Sequence, residues 1–404
     1  QSAASHEIEF SVFHALFIST SMAITPSDWQ CYARRSPSDA RVLLFSMRNL
    51  TRHVSRCGGY EFEDAICDCD EVDLLAPAAY RPRGSNPITR RIGAMLWQRG
   101  RPFDREIRVT KEYDLFFAYC LNPHDLLCLN HIKGLHDRCR RSVCVIAEIW
   151  PANIAECSGA LKALRNFDRI FTSIHSSVDL IAEATGRPCH FMPFGIDALR
   201  FCPFPDNPER SIDVYNMGRR APDEHRALLA CAERGKMFYV YDTVANFDVR
   251  DTREHRVLLA NLVKRSRYFI THPANFKALA ETNGIQEMGA RFFEGAAGGA
   301  VMIGEPPRCT AYDSCFDWPD AVISTGSDGE QIVASIAELD TQPRRIFQIR
   351  QNNIIHSLTR HDWACRWRQT LDCVGVPPMT RLVEREKRLD HVAKAVESGR
   401  PHLL

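Results

Sequence analysis

Apolar positions in this chain fall into short unbroken runs, separated by longer stretches where they recur at helical spacing. In the first half the runs lie at Arg41–Ser46, Glu71–Ala76, Tyr113–Ala118, Ser142–Ala147, Arg169–Ile174 and His190–Met192. Each is entered from a polar loop, and several leave through Pro or Asn, which is how a strand buried on both faces of a parallel sheet reads. Between them Pro123 to Asp137 and Ile154 to Asn166 read as helices. The second half repeats this grammar. Strands are predicted at Ile212–Met217, Lys236–Tyr241, Tyr268–Thr271 and Ala300–Ile303, and helices at Ala221–Arg234, Arg253–Arg265 and Met288–Ala297.

Strands alternating with helices predict an α/β protein with parallel sheets wrapped on both sides. At 404 residues the chain is too long for one ordinary core. The pattern predicts two doubly wound, Rossmann-like domains facing across a cleft. Residues 1–195 would form an N-terminal, acceptor-side domain and 196–355 a C-terminal, ligand-binding domain. Residues 356–404 would form helices crossing back toward the first. Ligands of such sheets bind beyond the carboxyl ends of the strands, so the cleft is the expected site. The apolar stretch from Phe10 to Thr25 is short for a membrane span, and Glu7 and Glu9 stand where a signal peptide carries positive charge. It reads as a packed N-terminal helix, which makes the expected location cytoplasmic with at most peripheral membrane association.

Composition narrows the function more than the fold. Hydrophobic residues make up 45% and charged residues 25%, with a formal net charge of +1. That balance argues against duplex nucleic acid or an anionic membrane as the main partner. The sixteen cysteines are scattered at irregular spacings, as in a reduced protein rather than a disulfide scaffold. The densest cluster, Cys67-Asp-Cys-Asp70, lacks a second pair at zinc-site spacing, and no metal site is expected.

Four constellations carry candidate chemistry. Met192-Pro-Phe-Gly-Ile-Asp197 is either an interdomain hinge or a plain turn. Asn216-Met-Gly-Arg-Arg220 ends a strand. Gly218 permits close approach of backbone to ligand, and Arg219 and Arg220 either reach phosphate oxygens in the cleft or are surface arginines. The third runs from Gln286 and Glu287 through Met288, Gly289, Ala290 and Arg291 to Glu294, and on to Gly298 and Gly299. Free amides at a helix start near Met288–Ala290 suit a diphosphate. Glu294, on a small-residue helix, needs partners such as ribose hydroxyls or an internal salt bridge. The fourth, His361-Asp-Trp363 with Arg366 and Trp367, reads as an amphipathic helix whose tryptophans pack on a neighbour.

Together these segments resemble the retaining glycosyltransferases of the GT-B fold, in particular the branch with a "family 1-like" C-terminal domain found in the spore-maturation protein CgeB. The resemblance rests on Pro193–Asp197, Asn216–Arg220, Arg291–Val301 and His361–Arg366, and covers roughly residues 190–370. It implies transfer of a sugar from a nucleotide-diphosphate sugar, UDP by default, to a glycan, lipid, protein or small-molecule acceptor. It further implies retention at the anomeric carbon and no required metal or cofactor. The glutamate that binds the donor ribose would be Glu294, and the strand-end arginine on the diphosphate Arg219 or Arg220. The acidic residue eight positions before that glutamate in related enzymes is Gln286 here, with Glu287 adjacent. On the acceptor side Glu148 and His175 are candidates to bind or orient the acceptor, Asn122 and Trp150 to line its pocket, with Asn49 and Arg52 weaker. His175 reads equally well as a structural histidine. A nucleotide-sugar epimerase or hydrolase, or a non-catalytic scaffold on the same fold, are the alternatives.

Overall fold

The computed structural model describes residues 29–33, 40–48, 53–77, 107–242, 248–325 and 328–399. The helix expected at 10–25 and the candidates Asn49 and Arg52 lie outside them. In the first half, strands β1 (Trp29–Ala33), β2 (Val42–Phe45), β3 (Val72–Pro77), β5 (Tyr113–Cys120), β7 (Cys139–Ile146), β8 (Arg169–Thr172) and β9 (Cys189–Phe191) form one sheet in the order β1-β3-β2-β5-β7-β8-β9. All its pairs are parallel except β1 on β3. A small ribbon pairs β4 (Ile107–Arg108) with β6 (Ile132–Lys133). The second half contains β10 (Ile212–Asn216), β11 (Tyr239–Tyr241), β12 (Ser266–Thr271), β13 (Val301–Gly304) and β14 (Ile323–Ser324), all parallel, in the order β11-β10-β12-β13-β14. The predicted pair of Rossmann-like sheets is thus present.

The apolar runs become strands because both faces are covered. Val42 and Leu44 of β2 join one hydrophobic cluster and Leu43 and Phe45 another, as side chains alternating across a sheet must. One cluster is continuous through both halves: it contains Leu44, Phe62 and Phe117 of the first, Phe269 and Phe293 of the second, and Trp363 and Trp367.

The helices that matter below are α1 (Cys57–Cys69), α2 (Val178–Thr185), α3 (Pro222–Glu233), α4 (Thr252–Lys264), α5 (Ala290–Ala297), α6 (Gly329–Asp340), α7 (Pro343–His356), α8 (Trp363–Val374) and α9 (Thr380–Ser398). Two expected helices are broken. Residues 123–137 form a 3₁₀ helix (Pro123–His131), then β6 and a single turn at Leu135–Arg138, because Gly134 adopts a left-handed conformation at φ 81°. Residues 154–166 hold only a turn of α-helix at Ser158–Leu161 and a 3₁₀ stretch at Lys162–Asn166. No helix among the described residues is long and apolar enough to cross a membrane.

The last helices return to the first half. Trp363 stacks on Phe62 with ring centroids 4.7 Å apart, and Trp367 meets Phe117 edge-on at 5.3 Å; such aromatic pairs add about 0.5–1.5 kcal/mol beyond their burial. The turn at 193–197 is stapled to the same segment. Ile196 N–H donates to the His361 carbonyl and Trp363 N–H to the Ile196 carbonyl, each at 3.0 Å. A Cβ on Gly195 would lie 2.3 Å from the Trp363 ring, so only glycine fits there.

Candidate functional site

The two sheets are wound the same way. In each, the chain passes from a central strand to its neighbour on one side (β2 to β3, β10 to β11) and then crosses to the other side (β5, β12). That reversal opens a crevice at the carboxyl ends of the two central strands, where doubly wound folds bind ligands. Contacts between strand-end loops of the two halves show that these edges face each other. His53 pairs with Asp248 as an isolated antiparallel bridge. Asn275 Nδ2, beyond β12, donates to Glu148 Oε1 at 2.7 Å, and Ser176 N–H donates to Glu287 Oε1 at 2.8 Å.

The first crevice is filled from within by α1. Arg56 makes a two-pronged ion pair with Asp125 at 2.8 and 2.9 Å, and Asp125 also accepts from the Leu121 N–H that follows β5. Beyond β2, Ser46 and Arg48 both donate to Glu63 Oε2 at 2.6 Å. Glu63 Oε1 is buried without a partner, and burial pushes that carboxyl above its ordinary range despite Arg48.

The second crevice is lined by backbone and by cationic side chains. Gly218 follows β10 with φ 82°, and its N–H donates to Asp242 at 2.8 Å. Arg219 is exposed and makes no hydrogen bond or ion pair among the described residues. Arg220 donates to the Asp242 carbonyl and lies over the Tyr241 ring at 5.3 Å. Lys277 is exposed nearby; partial burial, then Arg220 and Arg219, lower its pKa. Burial first, and then Arg56 and Arg219, lower that of His53. Asp248 works against the effect on His53, and Glu224 against that on Lys277. Two buried polar atoms at the strand ends, Asn216 Nδ2 and Thr271 Oγ1, have no partner, and neither has Glu224 Oε1 of α3, on the carboxylate that meets His272 Nε2 at 2.8 Å.

Helix α5 points its start at this crevice. Gly289 is its extended N-cap and supplies no side-chain cap, so the first-turn amides keep their positive end open. Gln286 Oε1 accepts from Arg308 N–H at 2.9 Å, which places the stretch beside a hollow of about 600 Å³ lined by residues 305–310, Tyr312, Asp313 and Ser324. Met288 is buried in the shared core. Glu287 is 1% exposed; one oxygen holds Ser176 and the other, Oε2, is buried with no partner.

Glu294 is 2% exposed and sits between two guanidiniums. Arg256 Nη1 donates to Oε1 at 2.6 Å, and Arg291 pairs with Oε2. Burial alone would raise this carboxyl, but Arg291 and Arg256 outweigh it and hold it at about 2. Arg256 continues into the first half, donating through Nε and Nη2 to Glu61 at 3.1 Å each. Glu61 also accepts from Arg200 and from the Trp363 indole, both at 3.0 Å. A buried chain of charges thus runs from α1 through α4 to α5.

On the acceptor side the structure separates the candidates. Glu148 Oε1 takes Asn275 and, at 3.3 Å, the indole of Trp150. Trp150 itself is 3% exposed. Asn122 caps the 3₁₀ helix that follows it, accepting from His124 N–H. His175 is exposed, with its ring edge-on to Phe191 at 5.1 Å. Reading along the chain missed Glu61, Arg256, Asn275 and Lys277; an arginine on the apolar face of α4 and three acidic residues within six positions of α1 were the available signals. Cys67 and Cys69 are buried cysteines at the end of α1, and among the described residues no three His, Cys, Asp or Glu side chains gather as metal ligands.

Residues 217–372, which span the second crevice, α5 and α8, match the family described as glycosyl transferase-like. This region of the chain is glycosyltransferase-like. No curated protein matches the sequence. Among solved structures, Anabaena HepE in complex with UDP-glucose is similar over 83% of this chain and 99% of its own, at 10% identity and a TM-score of 0.49. The UDP-GlcNAc 2-epimerase of Neisseria meningitidis bound to UDP-GlcNAc is similar over 82% and 98%, at 9% identity and 0.44. WaaG, a glycosyltransferase involved in lipopolysaccharide biosynthesis, is similar over 83% and 100%, at 10% identity and 0.44.

Proposed function

We propose that the second crevice binds a nucleotide-diphosphate sugar and that the protein transfers its sugar to an acceptor hydroxyl held against the first half. The observation that carries this reading is the combination, inside the glycosyl transferase-like region, of an open helix start and a set of cations at one strand-end crevice. A diphosphate has the charge and the acceptor oxygens such a site needs. The hollow beyond β13 and β14 has the size of a small-molecule site and offers space for the nucleoside or the sugar.

In the proposed reaction the bond from the anomeric carbon to the diphosphate oxygen breaks as the acceptor oxygen bonds to the same face, with retention. The hydroxyl proton passes to the departing phosphate oxygen. Arg219, Arg220 and the amides at Gly289, Ala290 and Arg291 stabilise the charge that develops on that phosphate. His175, exposed at the end of β8, faces the acceptor, and Glu148 holds the Asn275 loop against the first half. No metal is required in this scheme, and UDP is the first nucleotide to test.

A thermal-shift screen against UDP, GDP, ADP, CMP and dTDP and their common sugar conjugates tests the donor. A ligand at 100 times its dissociation constant stabilises by about 2.7 kcal/mol. One responding nucleotide class is the expected result; no response at millimolar ligand contradicts the reading.

A further inference from the structure

We propose that Arg350 and Arg210 form a separate anion site, at the far end of α5 from the crevice, which takes a phosphate group. It is independent of the nucleotide reading of the crevice.

Four elements meet at this corner: the approach to β10, the start of β12, the end of α5 and the inner face of α7. Arg210, two residues before β10, donates from Nη1 to the Ser266 carbonyl at 2.6 Å and from Nη2 to the Gly298 carbonyl at 2.9 Å. Arg350 is half-buried on the side of α7 that carries the buried Ile346 and Ile354, four positions away in each direction. The turn from α5 into β13 brings the two arginines together. Gly299 has φ 62°, and a Cβ there would lie 3.1 Å from Arg210 Nη2 and 2.7 Å from Ile354 Cδ1. Helix α5 has eight residues, so about 12 Å separate this corner from the open helix start.

Neither arginine has a carboxylate partner among the described residues. Arg350 makes no hydrogen bond or ion pair there, and its Nε is buried and unpartnered. Arg210 meets main-chain carbonyls alone. Those at the end of α5 offset part of its charge, but Arg350 has no such contact. Asp213 and Asp340 nearby are already spent. Asp213 takes Arg267 at 2.7 Å and the Phe238 N–H at 2.8 Å, and Asp340 takes Arg267 and the Tyr268 hydroxyl. Burial, then Arg350, lower the pKa of Arg210; burial, then Arg267, lower that of Arg350, with Tyr268 and Asp340 working the other way. Both guanidiniums nevertheless stay protonated, so the corner keeps two positive charges and an open buried donor, and an anion satisfies both. A carboxylate would cancel one charge. A phosphate monoester carries about −1.5 to −2 at pH 7 and offers three oxygens to the two forks.

Calorimetric titration of the full chain with inorganic phosphate, with and without saturating UDP, tests this in the wild type and in Arg350→Gln. Phosphate should still bind when UDP is saturating. Arg350→Gln should weaken that binding by about tenfold or more, the effect of losing charged hydrogen bonds, and leave UDP affinity unchanged. Sedimentation with phosphatidylcholine vesicles, plain or containing phosphatidic acid, separates the two sources of such a group. A site for a free phosphate ignores both vesicles, whereas a site for a lipid headgroup holds the protein on the acidic ones through Arg350. A wild type that binds neither phosphate nor acidic vesicles overturns the proposal, and so does an Arg350→Gln protein that binds as the wild type does. If Arg350→Gln does not fold, Arg350→Lys, which keeps the charge and loses the fork, decides on the same readings. A wild type that binds phosphate through Arg350 but no nucleotide overturns the nucleotide reading alone.

Discussion

The two crevices are products of one winding rule, yet they are furnished in opposite ways. At the first, Arg56, the N-cap of α1, pairs with Asp125, and Glu63 meets Arg48 and Ser46, so the space beyond β2 and β5 is occupied by the protein's own charges. At the second, the space beyond β10 and β12 is edged by Gly218, an unpaired Arg219, Lys277 and an uncapped helix start. The difference teaches that the sheet supplies a place and the loops decide whether it becomes a site. A crevice whose ion pairs are closed internally holds the fold together. One edged by exposed cations that have no ion-pair partner among the described residues, here Arg219 and Lys277, has charge to offer a ligand.

The sharpest way to break this comparison is to attack the charge chain that joins the two halves. Arg256→Ala would leave Glu61 and Glu294 buried with weakened compensation, and breaking such a pair costs about 3–5 kcal/mol. Denaturant unfolding should show a loss of that size; a loss below about 1 kcal/mol would mean the chain is not a structural spine.

Acid should probe the same network. Glu294 is held at about 2 against an ordinary 4.5, so its stabilisation is complete above pH 4.5 and lost as pH falls toward 2. The loss from this one group is on the order of 3 kcal/mol. Urea midpoints measured across that window should fall for the wild type and fall less steeply for Glu294→Gln.

Gly218→Ala tests the open crevice at its turn. A side chain at φ 82° strains the backbone by about 1–2 kcal/mol, and the new Cβ would press on the Arg291 guanidinium. Stability and pyrophosphate affinity should fall together, whereas Gly186→Ala, also left-handed but with nothing near its Cβ, should lose stability alone. The smallest effect is expected from Arg219→Ala. Stability should change by less than about 0.5 kcal/mol. Nucleotide affinity should drop only a few-fold, with the difference fading as salt rises, because an exposed and unfixed charge is screened.

The sheets were legible in the chain because parallel strands buried on both faces leave unbroken apolar runs, and ten of them lie where Val, Ile, Leu and Phe cluster between polar loops. Helix α1 was not. Gly58, Gly59, Glu61, Glu63 and Asp64 spoil an amphipathic pattern, and the residues that neutralise the acidic ones include Arg256 and Arg253, some 190 positions away. The antiparallel β1 at the sheet edge gave no signal either. For the site, the Gly218 turn and the start of α5 could be read because local backbone rules govern glycine and helix ends. What Glu294 touches could not, because Arg256 reaches it from another helix and Arg291 serves it only once the helix has formed.

Hydrogen–deuterium exchange with and without UDP addresses the central claim most directly, since it reports where on the chain a ligand acts. Protection should appear at residues 216–220 and 288–292, the second crevice, with residues 46–48 and 121–125 of the first crevice unchanged. Protection confined to the first crevice, or spread equally over both, would contradict the account.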